Sequence, residues 1–210
     1  MGIAVNVARL VSGLRKTTAT PASEAIPAAR PALAGDELLA LVHDARLGSE
    51  EAFSALFERF QTPIVNYIYR LVGEWETAND LAQDTFLKAY QALPRTAENL
   101  QISPWLYRIA TNTALDALRR RKRITWVPII AEVEPYANDT AARHAEHDAI
   151  QRALEQVPAD QRTCLVLNMS QGMSYKEIAE TIGISVNLVA VRIFRGREKF
   201  IDAYKKANSE

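Results

Sequence analysis

Apolar residues recur every three or four positions through two long stretches of the chain, and this spacing is typical of amphipathic helices. One such set lies on a single face of a predicted helix and consists of Ala52, Phe53, Leu56, Phe57 and Phe60. Between the two stretches the pattern stops, and turn signals appear at Val127-Pro128, Glu134-Pro135 and Asn138-Asp139. The pattern predicts an all-α fold of two small helical domains, at residues 36–123 and 146–206, joined by a flexible linker at 124–145.

Local signals predict where several helices begin. Ser49 is expected to cap one helix, and Thr62-Pro63 to start the next, because proline is favoured in a first turn. Thr77 resembles the first residue of a capping box for a helix over 78–93. Ser103, which precedes a proline, is expected to cap the helix after that.

The helix predicted over 78–93 has two different faces. Its apolar side, which includes Phe86, is expected to enter the core of the first domain. Its opposite side aligns Asp80, Gln83, Asp84 and Leu87. An exposed leucine among acidic residues is typical of a protein-docking face, and an ordinary solvated face is the alternative.

The segment from Ile102 to Arg123 combines a core-facing stripe with a polar, cationic and aromatic face. That second face carries Trp105, Arg108, Asn112, Asp116, Arg119 and Arg123, and the helix ends in Arg119-Arg120-Arg121-Lys122-Arg123. Such a face offers stacking and phosphate contacts, which suit a nucleic acid held open or bent. The alternative is a solvated helix whose basic end complements its own dipole.

The segment 174–200 predicts a DNA-binding helix-turn-helix. Ser174 and Ser185 can cap its two helices, and Ala179 is small where the helices must cross closely. Gly183 provides the positive φ that the turn requires. The second helix is expected to point Arg195 towards a base edge in the major groove, and the alternative is a helical hairpin with a basic surface.

Charge distribution modifies the picture that composition suggests. The formal net charge is zero, with 25 basic and 25 acidic residues, and a zero net charge taken alone argues against a nucleic-acid partner. The charge is segregated, however: residues 36–84 are acid-rich, whereas 108–123 and 192–206 are basic. Local fields govern steering, so the basic segments matter more than the sum.

Other features of composition indicate the setting in which the protein works. A single cysteine, Cys164, excludes an internal disulfide and fits a reducing cytoplasm. No apolar run approaches the roughly 20 residues of a membrane span. Residues 1–35 are expected to form a disordered or regulatory extension, because 17–35 are rich in Ala, Pro and Thr. The linker of roughly 22 residues could extend to about 70 Å.

The two domains together resemble a bacterial sigma factor of the extracytoplasmic-function group, over about residues 36–206. Three motifs carry the resemblance: DLAQDTFLKAYQAL (80–93), PWLYRIATNTALDALRRRKR (104–123) and MSYKEIAETIGISVNLVAVRIFRGREK (173–199). The resemblance implies a region 2-like bundle followed by a region 4-like helix-turn-helix domain. It implies a specificity subunit of RNA polymerase that directs promoter recognition, melting and initiation, and that is neither an enzyme nor dependent on a cofactor.

The resemblance also implies site residues. The first motif is expected to bind the clamp helices of the β′ subunit through Asp80, Gln83, Asp84, Phe86 and Leu87. The second motif, with its preceding loop, is expected to melt the −10 element and capture a flipped base through Trp105, Arg108, Asn112, Arg119, Arg120, Lys122 and Arg123. The third is expected to read the −35 element, while its domain touches the β flap, through Ser185, Asn187, Ala190, Val191, Arg192, Phe194, Arg195 and Arg197.

One departure from the family pattern affects the −35 expectation. The family usually has Lys or Arg at the position of Ala190, and often a small polar residue at that of Val191. We therefore expect a weaker grip on phosphate and a larger part for contacts with thymine methyl groups. The resemblance further suggests an anti-sigma protein as a partner.

Two other classes of function compete with this interpretation. A free-standing transcriptional regulator could use the same helix-turn-helix, although the two motif helices of the first domain would then be unexplained. His144 and His147 are spaced like a pair of metal ligands, but they have no clear third ligand, so no metal site is predicted. No phosphate-binding glycine loop and no nucleophile with a plausible base occur.

Overall fold

The computed structural model describes the main chain of residues 35–124 and 141–207 and the side chains of 36–122 and 148–206. Within these ranges the chain is helical and contains no strand, which confirms the predicted fold class. The helices are α1 (Gly35–Arg46), α2 (Glu50–Val72), α3 (Trp75–Ala92), α4 (Ile102–Ile124), α5 (Ala141–Glu155), α6 (Ala159–Gln171), α7 (Tyr175–Ile182) and α8 (Val186–Ala207). A short 3-10 turn, Leu93–Arg95, follows α3.

Several predictions fall outside the described residues. They concern the extension up to residue 34, the linker between 125 and 140, and the side chains of Arg123, His144 and His147. The described chain divides into two compact units, one of residues 35–68 and 75–110 and the other of 69–74 and 111–207. The predicted domain boundaries at 123 and 146 stay predictions.

In the first unit, α2 packs against α3 through aromatic rings. The Phe53 ring meets Tyr90 edge-on, with 4.9 Å between the ring centroids. One turn later Phe57 meets Phe86 in the same way at 4.8 Å. Edge-to-face contacts of this kind contribute about 0.5–1.5 kcal/mol beyond the area they bury. They fix which side of α3 turns inward.

The same helix also holds α4. Tyr67 of α2 lies edge-on to Tyr107 of α4 at 5.1 Å, and both rings are buried. Burial raises the pKa of the Tyr107 phenol well above its usual range, so that this group stays neutral in the core. Because α4 is anchored by Tyr107, the opposite side of α4 is left to solvent.

The prediction that Pro63 starts a helix is wrong, since Pro63 lies inside the continuous helix α2. A proline there removes one amide donor and crowds the carbonyl four residues earlier, at a cost of about 3 kcal/mol. Pro63 is exposed, so water can reach the carbonyl that lost its partner. The neighbouring Phe60 and Ile64 are buried, and burial of the apolar stripe on both sides outweighs the interruption.

Two further predicted helix starts are wrong. α3 begins at Trp75, before Thr77, because the Gly73 turn with a φ of 86° ends α2 and lets the next helix begin two residues later. α4 begins at Ile102, one residue before Ser103, and the Trp105 amide already donates to the Gln101 carbonyl at 3.2 Å. The Ser49 cap is confirmed, because its hydroxyl accepts a hydrogen bond from the Ala52 amide at 3.1 Å.

An arginine from α1 holds the loop that leads into α4. The Arg46 guanidinium donates a hydrogen bond from Nη2 to the Thr96 carbonyl over 2.7 Å, across 50 positions of sequence. The Thr96 hydroxyl in turn donates to the Leu93 carbonyl, also over 2.7 Å. α1 itself packs against the 3-10 turn that contains Leu93. This clamp fixes the first residue of the loop over 96–101.

The second unit is built around α8, which packs against α5, α6 and α7. Its core contains side chains that are almost fully buried, namely Leu165, Leu167, Ile178, Val189 and Ile193. Gly196 permits the close approach of α6, because a Cβ atom there would lie 3.3 Å from both the Cβ and the carbonyl oxygen of Gln161. In the described residues, no helix has the length and apolar character needed to cross a membrane.

The Arg46 clamp yields a testable prediction. Replacing Arg46→Met removes a charge-assisted hydrogen bond to a partly buried carbonyl, so the free energy of unfolding should fall by about 1–2 kcal/mol. Amide hydrogen exchange over residues 96–101 should become faster. Chemical denaturation followed by circular dichroism, together with exchange mass spectrometry, would measure both effects. Arg95→Met, at an exposed neighbouring position, is the control, and equal exchange in the two variants would contradict the clamp.

Candidate functional site

The outward side of α3 forms what we call the acidic surface, made of Asp80, Gln83, Asp84 and Leu87. Asp80 and Asp84 are exposed, Gln83 is partly exposed and Leu87 is 38% exposed. The other side of the helix is sealed, since Ala78, Ala82 and Ala89 have no solvent exposure. The buried alanines fix the rotation of α3, and that rotation brings the four surface residues together.

Phe86 requires a correction. Phe86 is one of the residues that the resemblance implies for contact with the polymerase, but it is 2% exposed and packs against Phe57. It lies on the core side of α3 because it follows Ala82 by four positions, which is just over one helical turn. Phe86 therefore packs beneath the acidic surface and does not form part of it.

The outward side of α4 forms the basic surface, which we define as Trp105, Arg108, Asn112, Arg119, Arg120 and Lys122. Trp105 is partly buried and the other five are exposed. Arg119 donates to Asp116 at 2.9 Å, an exposed pair that contributes little to stability. Among the described residues, none forms an ion pair with Arg108, Arg120 or Lys122. Trp105 and Arg108 thus share one side of α4 with Asn112 and Arg119. Arg120 and Lys122 flank that side near the end of the helix.

The helix-turn-helix has the predicted caps. The Ser174 hydroxyl accepts from the Glu177 amide at 3.3 Å, while the Glu177 carboxylate accepts from the Ser174 amide at 2.8 Å. Gly183 closes α7 in the left-handed region with a φ of 71°. The Ser185 hydroxyl then accepts from the Leu188 amide at 3.3 Å and caps α8. These three features set the angle at which α8 leaves the turn.

The capping box also shifts a pKa. Hydrogen bonds from the Ser174 hydroxyl and the Ser174 amide lower the pKa of the Glu177 carboxyl. A carboxyl whose pKa is lower in the folded state stabilises the fold above its unfolded pKa. That contribution is lost as the pH falls through the folded value.

The outward side of α8 forms the reading surface, which we define as Ser185, Asn187, Val191, Phe194, Arg195 and Arg197. All six are exposed, as the sequence pattern predicted. Val189, Ile193 and Gly196 lie on the buried side, and Ala190 is partly buried between the two sides. The reading surface mixes cations, one amide, one hydroxyl and two apolar side chains.

Arg192 requires a second correction, because it was predicted to contact DNA. Its Nε atom lies 3.2 Å from a carboxylate oxygen of Asp160 on α6, and its side chain is only 25% exposed. Burial raises the pKa of the Cys164 thiol, and the positive charge of Arg192 partly offsets that rise. Arg192 therefore joins α8 to α6 and is not placed in the reading surface.

Sequence reasoning missed the residues that position these surfaces. Arg46 and Asp160 act across long sequence separations, and neither belongs to a local pattern that could have indicated its partner. Gln161 was also missed, although Gly196 in the middle of a helix is a local sign of close packing.

Two family descriptions match the chain. Sigma-70 region 2 matches residues 56–124, which include the whole of the acidic and basic surfaces. Sigma-70, region 4 matches residues 147–200, which include the helix-turn-helix and the reading surface. The order of the matches follows the order of the three surfaces along the chain.

Relatives are similar along most of their length. The chain is 34% identical over 171 residues to the RNA polymerase sigma-H factor of Pseudomonas aeruginosa, covering 75% of this chain and 89% of that protein. It is 33% identical over 172 residues to the ECF RNA polymerase sigma-E factor of Haemophilus influenzae, covering 76% and 90%. In three dimensions it is similar to CnrH, solved in complex with the cytosolic domain of CnrY. That likeness has a TM-score of 0.59 and 25% identity, and it covers 80% of this chain and 97% of CnrH.

The caps of the helix-turn-helix yield a prediction about stability. Ser174→Ala removes the side-chain half of the capping box, so the free energy of unfolding should fall by about 1 kcal/mol. Thermal and urea denaturation of the full chain would measure the change. Ser170→Ala is the matched control, because Ser170 is exposed near the end of α6 and caps no helix. Equal stability of the two variants would show that the cap does not contribute to the free energy of unfolding.

Proposed function

Because the chain belongs to the extracytoplasmic-function sigma factors of bacterial RNA polymerase, we propose that it binds core polymerase and directs it to promoters. The three surfaces divide this work among polymerase binding, strand opening and duplex recognition. One observation carries the proposal: α3 and α4, both packed on α2, present an acidic and a basic surface within the region 2 match. The chain is proposed to act as an initiation factor and to catalyse no reaction itself.

The acidic surface is proposed to bind the clamp helices of the β′ subunit. Asp80 and Asp84 are exposed carboxylates four positions apart, so they meet a partner from the same side of α3. Leu87 lies beside them and supplies an apolar contact of the kind that anchors protein interfaces. The partner that this surface suits is therefore one with cations around an apolar pocket, and the family resemblance indicates the clamp helices as that partner.

The basic surface is proposed to open and hold the −10 element. Stacking of an unpaired base on an aromatic side chain is worth about 1–3 kcal/mol, and Trp105 is the aromatic residue available on this face. Arg108 and Arg120 are exposed to meet phosphates, which attract them without regard to sequence. The loop over 96–101, which Arg46 clamps, is proposed to receive the flipped base.

The reading surface is proposed to enter the major groove of the −35 element. The N-terminus of α8 offers amides and a positive dipole to a phosphate. Arg195 is exposed two turns into the helix and is proposed to contact a base edge, worth about 1–3 kcal/mol of discrimination. The unit that carries this helix is also proposed to touch the β flap.

Regulation by a protein partner is part of the proposal. The similar protein CnrH was solved in complex with the cytosolic domain of CnrY. By analogy we propose that an anti-sigma protein covers the polymerase-binding surface of this chain when transcription is off. The proposed place of action is the cytoplasm, where the polymerase works.

Run-off transcription with purified core polymerase tests the function, and a charge reversal tests the acidic surface. Asp84→Lys replaces an attraction by a repulsion, so the affinity for core polymerase should fall about tenfold or more. Fluorescence anisotropy with labelled protein would measure it. Glu37→Lys makes the same change of net charge at an exposed position of α1 and should bind normally. Unchanged affinity of Asp84→Lys would exclude the acidic surface from the interface.

A substitution in the basic surface tests strand opening. Trp105→Ala removes the stacking platform, so formation of the open complex should fall about tenfold or more, whereas initial promoter binding should change little. Permanganate reactivity of unpaired thymines would report opening, and filter binding at low temperature would report initial binding. Trp105→Phe keeps an aromatic ring and should restore much of the opening. Equal loss of opening and of initial binding would contradict the role assigned to Trp105.

A further inference from the structure

Two apolar side chains stand exposed on the reading surface. Val191 is 44% exposed and Phe194 is 65% exposed, and they lie three positions apart on one side of α8. The opposite side of α8 packs into the core of the unit, where Val189 and Ile193 are at most 1% exposed. Packing within the described chain therefore gives no reason for an aliphatic residue at position 191.

The surroundings of Val191 indicate what it can meet. The exposed side chains of Leu188 and Phe194 lie three positions before and after Val191, so the three form an apolar patch. Asn187 lies four positions before Val191 and Arg195 four positions after it, and they give this patch a polar and cationic margin. An apolar patch with a polar and cationic margin suits a ligand that has an apolar group at its centre and anionic groups at its edges. The major groove of DNA fits this description, because phosphates border it and the thymine C5-methyl group lies within it.

The neighbours of Val191 in sequence leave its contact unobstructed. Ala190 has only a methyl side chain and is partly buried, so it places no long side chain beside Val191. Arg192 is turned towards Asp160 and paired with it at 3.2 Å. Val191 can thus approach a base edge without competition from a cation at position 190 or 192.

We propose that Val191 is a specificity-determining residue that selects thymine at one position of the −35 element by contact with the thymine methyl group. Among the four bases, only thymine presents a methyl group in the major groove. Adenine and guanine present hydrogen-bonding groups that a valine cannot satisfy, and cytosine has only a hydrogen atom at C5, which leaves the valine without that methyl contact. This inference rests on the proposed function and names the base that the reading surface prefers at one position.

The test uses polymerase holoenzyme reconstituted with the full chain and a promoter duplex from a start site that the holoenzyme uses. Each thymine of the −35 element is replaced in turn by deoxyuridine, which lacks the methyl group and keeps every hydrogen-bonding group. At one thymine, this replacement should weaken binding by about fourfold, the effect of removing one buried carbon. The weakening should disappear in Val191→Ser, which binds thymine and deoxyuridine duplexes equally.

A matched control separates this contact from a general effect of apolar exposure. Ile201→Ser removes an aliphatic side chain of 42% exposure on the same helix, ten positions further along, or about 15 Å. This variant should keep the fourfold preference for thymine. Circular dichroism of all three proteins would verify that they have the same fold.

Each outcome bears on the inference in a definite way. If no single deoxyuridine weakens binding by wild-type holoenzyme, or if the thymine preference survives in Val191→Ser, the inference is overturned. If Val191→Ser instead loses affinity for core polymerase, the apolar patch binds protein and the inference is again overturned. Failure of wild-type protein to support run-off transcription would refute the proposed function itself, which distinguishes the two kinds of failure.

Discussion

The edge-to-face packing of aromatic rings along α2 is the interaction on which the first unit depends. Phe53 and Phe57 fix α3, and Tyr67, ten positions after Phe57, fixes α4. The two helices that carry the acidic and basic surfaces are thus oriented by the same scaffold helix. Each of them buries one side against a fixed neighbour, and its opposite side is exposed to solvent. The surfaces are consequences of core packing, since the rings determine which residues cannot be in the core.

The same logic explains how a chain of zero net charge can suit a polyanion. The acidic surface carries carboxylates and no cation, and the basic surface carries cations and no carboxylate, so each surface has charge of one sign. Exposed pairs such as Arg119 with Asp116 are weak and can be exchanged for phosphate contacts. The pair of Arg192 with Asp160 differs, because its arginine is mostly buried and the pair joins two helices. Position in the fold therefore decides which arginines are available for DNA.

Much of the architecture could be predicted because helical periodicity is a local property. The outward sides of α3, α4 and α8 followed from helical spacing, whereas the Gly183 turn and the Ser174 cap followed from the residue types that favour those positions. Helix boundaries were less predictable: at Pro63, burial of Phe60 and Ile64 outweighed the local preference of proline for a first turn. The contacts of Arg46 and Arg192 could not be predicted, because their partners lie on other elements and no local sequence pattern indicates them.

The close approach at Gly196 has a consequence for how such proteins diverge. Any side chain larger than hydrogen at position 196 would press on Gln161, so the contact between α8 and α6 tolerates little variation at this position. The side of α8 that faces away from Gln161 has no such constraint. Substitutions at positions such as 191 therefore leave the contact between α8 and α6 unchanged. Proteins that descend from one ancestral gene could therefore acquire different DNA sequence specificities while they keep the same hydrophobic core. A few substitutions at exposed positions could then make paralogues in one cell recognise different DNA sequences.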